Sequence, residues 1–99
     1  MTNNFRVEIF LSVCRALIGE VFPSLVAVCA FITGPEDFTL HFFIDREADD
    51  DLEDAISCIE TEVIADFARQ INVKVEIRAA ERPQLPERDA FWIFYRKLE

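Results

Sequence analysis

The sequence predicts an α+β fold: a single domain over residues 1–99, built as a four-stranded antiparallel sheet with two helices packed on one face. Three observations carry this expectation. Two segments repeat apolar residues with a helical period, four short segments are β-branched or aromatic, and the segments follow one another as α-β-β-α-β-β. Helices that are each followed by a pair of strands suggest two hairpins joined into one antiparallel sheet.

The first helix is expected over residues 4–21, where Phe10, Val13, Cys14, Leu17, Ile18 and Val21 recur with the spacing of one helix face. Asn3 or Asn4 can cap it by accepting a free backbone N–H. Pro23 stops it, because the residue before a proline avoids helical angles. Leu25–Ile32 is β-branched and apolar at both parities, as in a buried central strand. Thr33-Gly34-Pro35-Glu36-Asp37 has the chemistry of a turn. The next strand, Phe38–Asp45, alternates Phe38, Leu40, Phe42 and Ile44 on one face with Thr39, His41, Phe43 and Asp45 on the other.

A second helix is expected from a cap at Asp49, Asp50 or Asp51 to about Arg69, with Ala55, Ile56, Ile59, Val63 and Phe67 turned inward. The strand Val73–Arg78 sends Val73, Val75 and Ile77 inward and Lys74, Glu76 and Arg78 outward. Glu81–Asp89 holds two prolines and five charged residues and reads as a loop. Phe91–Tyr95 is a closing aromatic strand, with Trp92 and Phe94 on one face and Phe91, Ile93 and Tyr95 on the other.

An apolar share of 52% with ten phenylalanines excludes intrinsic disorder, since that much apolar surface offsets chain entropy. The net charge of −9 excludes non-specific attraction to nucleic acid or anionic lipid. The N-terminus lacks the basic region ahead of a clean apolar run that a secretory signal needs, and no stretch approaches the length of a membrane span, so a cytoplasmic protein is expected. Cys14, Cys29 and Cys58 show no C-x-x-C spacing and sit among Val, Ala and Ile, as small buried hydrophobes of a reducing compartment do.

Catalytic constellations are not apparent, and an enzyme is not expected. His41 is the only histidine, no Ser or Cys is its sequence neighbour, and two glycines leave no room for phosphate-binding or nucleophile motifs. Glu60 and Glu62 lie two apart on a helix and cannot act on one substrate atom together. Asp45, Glu47 and Asp49 have the spacing of the first calcium-loop ligands, but the sixth position is Asp50 instead of Gly and the twelfth is Ile56 instead of Glu. No metal or other cofactor is expected.

The charge distribution is the most informative feature. Residues 45–66 hold ten acids (Asp45, Glu47, Asp49, Asp50, Asp51, Glu53, Asp54, Glu60, Glu62 and Asp66) against Arg46 alone, while the remainder of the chain is neutral. Such a run can serve simply to cap a helix and keep an apolar small protein soluble, although one or two acids suffice for capping. Seven between Asp45 and Asp54 repel one another, which points to a cationic partner. The expected partner-binding residues are therefore Asp45, Glu47, Asp49, Asp50, Asp51, Glu53 and Asp54, extended by Glu60 and Glu62. A second candidate surface is aromatic: Phe43, Trp92 and Phe94 on the sheet face away from the helices, through which a small adaptor or subunit could form a homodimer.

The segments Ser12-Val13-Cys14-Arg15-Ala16-Leu17-Ile18-Gly19-Glu20-Val21 and Cys58-Ile59-Glu60-Thr61-Glu62-Val63-Ile64-Ala65-Asp66, with this element order and length, resemble small bacterial immunity proteins of polymorphic toxin systems, closest to the contact-dependent growth inhibition type. The resemblance implies a cytoplasmic, non-catalytic protein that binds the C-terminal toxin domain of a cognate effector. Many such toxins are nucleases with basic active sites, so an acidic surface can occupy the site as a substrate mimic or block access beside it. The resemblance transfers no contact residues, and the charge map supplies them instead.

Overall fold

A computed structural model describes residues 3–18, 24–47, 49–68, 70–79, 83–86 and 89–95. Its elements are α1 (Asn3–Ile18), β1 (Leu25–Gly34), β2 (Asp37–Ile44), α2 (Asp50–Asp66), β3 (Asn72–Ala79) and β4 (Phe91–Tyr95). The four strands form one sheet in the order β3-β2-β1-β4. The expected helix residue Val21 and the stop at Pro23 lie outside the described residues, as do the side chains of Asn3 and Asn4. The second helix ends before the expected Arg69, at Asp66, because the backbone turns extended at Phe67.

β1 and β2 form the expected hairpin, with Gly34 opposite Asp37 and only Pro35 and Glu36 between the strands. Such short links are the usual way to join antiparallel neighbours. The sheet as a whole is mixed, which corrects the antiparallel expectation. β3 runs parallel to β2, from Asp37 opposite Asn72 to Ile44 opposite Ala79. The reason is the helix between them: a strand that returns through a helix re-enters the sheet in the same direction. β3 and β4 are not a hairpin either, but occupy opposite edges. β4 pairs antiparallel with β1 instead.

The main core lies between the sheet and the helices. Leu25, Val28 and Ala30 of β1 and Phe38, Leu40, Phe42 and Ile44 of β2 meet Ile9, Val13, Ala16 and Leu17 of α1 and Leu52, Ile56, Ile59 and Val63 of α2. The four α2 residues follow the four-three-four spacing of a single stripe, and burial of each stabilises the fold by about 1.5–3 kcal/mol. α2 lies over β3 and α1 over β4. Along α1 the burial differs from expectation: Ile9 takes the inward position, while Phe10 and Ile18 are exposed. The helix carries apolar residues on two sides, and the sheet selects only one.

A bulge rearranges β4. Phe94 stands opposite Val28 and Trp92 opposite Cys29, so Ile93 is the extra residue that has no partner on β1. The alternation resets there. Phe94 therefore packs into the main core beside Phe91 and Ile93, which corrects its expected place beside Trp92. Trp92 shares the other face with Tyr95 instead, their rings 4.9 Å apart and edge-to-face.

Candidate functional site

The acidic segment begins where β2 ends. A backbone hydrogen bond from Asp45 N to Ser24 O, 3.0 Å, fixes the chain at that point. Asp49 then starts α2: its backbone is extended, at φ −125° and ψ 179°, and its Oδ1 accepts from Leu52 N at 2.8 Å. This bond satisfies one of the donors that a helix N-terminus leaves free. Asp50, Asp51 and Glu53 fill the first turn, at the positive end of the helix dipole. Leu52 and Ile56 anchor the same turns in the core, which orients the acidic positions away from it.

Asp45, Glu47, Asp49, Asp50, Asp51, Glu53 and Asp54 are all exposed. Within this cluster an ion pair joins Arg46 to Asp49, at 3.7 Å. Asp50, Asp51, Glu53 and Asp54 face solvent with no cation beside them among the described residues. Farther along α2 the two glutamates part company. Glu60 is half-buried and Glu62 exposed, and Glu62 lines a groove shared with Ser12, Arg15 and Ala16 of α1. Asp66 closes the helix and pairs with Arg15. The Arg15 guanidinium, helped by the Ser12 hydroxyl, holds the Asp66 carboxyl below its usual range. Asp66 thus joins the helices, whereas Asp50, Asp51, Glu53 and Asp54 have no such cation partner among the described residues.

The aromatic face differs from its expected form. Val26, Ala27, Cys29 and Phe43 are buried there as a second, smaller core, with Trp92 half-buried over them. Phe43 is only 4% exposed and His41 only 6%. His41 stacks on Phe43 with ring centroids 6.4 Å apart, and Phe43 meets Trp92 at 5.9 Å. Of the expected second surface, Phe43 is therefore interior, Phe94 is half-buried on the helix side, and Trp92 is the one of the three that stays half-exposed on this face. Pro83, between β3 and β4 in the chain, is buried as well.

Cys29 and His41 are direct neighbours across β1 and β2, the one thiol–imidazole pairing in the register of the sheet. Burial pushes the Cys29 thiol up to about 11, with Arg78 opposing the shift. A nucleophilic cysteine needs its pKa lowered and its sulfur accessible. This pair has neither property. Cys58 is exposed but sits on α2 among Asp54, Ser57, Thr61 and Glu62, with no imidazole in that group. Among the described residues no three His, Cys, Asp or Glu side chains converge as a metal site, and no helix is long and apolar enough to cross a membrane.

Reasoning from sequence missed the outer side of α1, where Val7, Phe10, Leu11 and Ile18 are exposed. The signal was present in the segment itself, which holds more apolar residues than one helix face can bury. Comparison with known proteins bears on the whole chain. No curated protein matches it. The family model described as MafI2 immunity protein matches residues 6–98.

Proposed function

The chain belongs to the MafI2 immunity protein family, and from that premise we propose that it neutralises a cognate cationic nuclease toxin by covering the toxin's active site with the acidic surface of residues 45–54. Asp50, Asp51, Glu53 and Asp54 supply the anchor, together with Asp45 and Glu47. Asp49 contributes one carboxylate oxygen while the other caps the helix. Glu62 extends the surface along α2 toward α1, and Glu60 borders it on the opposite flank. The protein acts in the cytoplasm, by stoichiometric binding and without turning over a substrate.

The observation that carries this reading is the exposure of the seven acids from Asp45 to Asp54, of which Asp50, Asp51, Glu53 and Asp54 have no cation beside them among the described residues. Like charges so placed raise the energy of the free protein. A basic toxin surface relieves that repulsion and forms charge-assisted hydrogen bonds, which are shorter and stronger than neutral ones. A nuclease site that binds phosphates offers such a surface, and carboxylates on a rigid helix end can stand where the phosphates would.

The test is protection in cells. The chain is co-expressed with the toxin domain encoded immediately upstream of its gene, and growth is followed. The wild-type chain is expected to rescue growth. A triple Asp50→Lys, Asp51→Lys, Asp54→Lys variant, equally abundant and folded, is expected to lose most of that rescue. Full rescue by the triple variant would remove the acidic surface from the mechanism.

A further inference from the structure

We propose that the outward side of α1 is the apolar centre of the toxin interface, flanked by the acids of α2. Val7, Phe10, Leu11 and Ile18 are 53%, 40%, 49% and 83% exposed. Their spacing places Val7, Leu11 and Ile18 on one side of the helix, opposite the buried Ile9, Val13 and Ala16, with Phe10 at the edge of that side next to the buried Leu17. The stripe runs about 16 Å from Val7 to Ile18, eleven steps of about 1.5 Å each. A helix side that faces only water is normally polar. α2, in the same layer, is mostly polar there, with Asp50, Asp54, Ser57 and Thr61 exposed and Ile64 its one exposed large apolar residue. α1 departs from that rule, and core packing does not require the departure because its other side already fills the core.

The occupant follows from charge and area. A second copy is a poor fit, because each chain carries −9 and two such chains repel each other. The cations on α1 offer no compensation. Arg15 is engaged with Asp66, and Arg6 lies over the Phe91 ring at 4.5 Å. A stripe one helix long is also too small to be a whole interface, which needs about 1,200 Å² or more of total buried area. The partner must therefore cover neighbouring surface too, and the neighbour in the layer is α2, held to α1 by Arg15–Asp66 and by the Phe5 and Phe67 rings at 6.1 Å. A cationic protein domain with an apolar patch fits both helices at once. Steering by the acids and retention by desolvated apolar anchors is a common division of labour in tight complexes.

This inference rests on the toxin-binding reading above, and the experiment separates the two. Binding of the upstream-encoded toxin domain, in a catalytically inactivated form, is measured kinetically at low and physiological salt. The chain is compared with Phe10→Ser/Leu11→Ser, with Val7→Ser/Ile18→Ser, and with Asp50→Asn/Asp51→Asn/Asp54→Asn. All replaced residues are exposed, and thermal unfolding verifies each fold; the two stripe variants guard against the loss of one. Either folded stripe variant is expected to dissociate at least tenfold faster with its salt dependence unchanged, while the acid variant associates more slowly with a shallower salt dependence. If both stripe variants bind within twofold of wild type while the acid variant is impaired, the stripe proposal is overturned and the acidic reading stands. Wild-type kinetics in all three variants overturn both. A salt-insensitive dimer that the stripe variants dissolve, with toxin affinity unchanged, assigns the stripe to self-association and likewise overturns the proposal.

Discussion

Replacing Asp49 with alanine separates a carboxylate that builds the fold from carboxylates that do not. Asp49 Oδ1 accepts from Leu52 N at 2.8 Å, in the extended backbone of a helix cap. Losing such a cap costs about 1 kcal/mol, within a range of roughly 0.5–2. The Arg46 contact, at 3.7 Å between two exposed side chains, adds a few tenths at most. For a domain of this size about 1 kcal/mol corresponds to a fall of about 4–8 °C in Tm. Asp50→Ala and Asp54→Ala remove no such bond. Asp50 gives up a dipole interaction of about 0.3–1 kcal/mol but relieves repulsion from its neighbours, and Asp54 relieves repulsion only. Their stability is expected to stay within about 0.5 kcal/mol of wild type. Urea unfolding at pH 7 with circular dichroism detection measures all three. The reasoning is refuted if Asp49→Ala is as stable as wild type, or if Asp54→Ala loses as much as Asp49→Ala.

Other expectations follow from the core, the thiols and the ion pair between the helices. Phe42→Ala, at a fully buried position of β2, should cost about 3–5 kcal/mol and bring the protein close to unfolding, as read by denaturant midpoint. In native protein at pH 8 a thiol reagent should modify exposed Cys58 quickly and Cys29, raised to about 11 by burial, only after unfolding. The Asp66 carboxyl lies below its ordinary 3.8 in the folded chain because Arg15 favours its charged form. Its contribution to stability is therefore complete above the ordinary carboxylate range and is lost as pH falls through the lowered folded value. Acid titration of the unfolding free energy should show that step in wild type and a smaller one in Asp66→Asn.

Much of the fold was legible because its signals are local. The period of Ile56, Ile59 and Val63, the Asp49 cap and the Gly34–Asp37 turn all lie within a few residues of what they determine. The parallel pairing of β2 with β3 was misread because the alternation within a strand has no direction. The information was in the connection instead, where a helix between two strands favours a parallel return. Phe94 was placed on the wrong face because nothing in FWIFY marks Ile93 as the bulge; that depends on how β4 meets β1. On α1 two apolar stripes compete, and only the sheet decides that Ile9 goes in and Phe10 stays out. The acids were the easiest to place: seven carboxylates cannot be buried without partners. Exposure by itself does not encode the partner proposed for them.

The most direct test of the central claim is the association rate with the toxin domain as a function of ionic strength. Screening over about 8 Å at physiological salt damps charge steering but leaves apolar contacts nearly unchanged. The account predicts that association of the wild-type chain slows by at least tenfold between about 20 and 500 mM salt, and that neutralising Asp50, Asp51 and Asp54 removes most of that dependence. A rate indifferent to salt in the wild-type chain, with tight binding preserved, would contradict it.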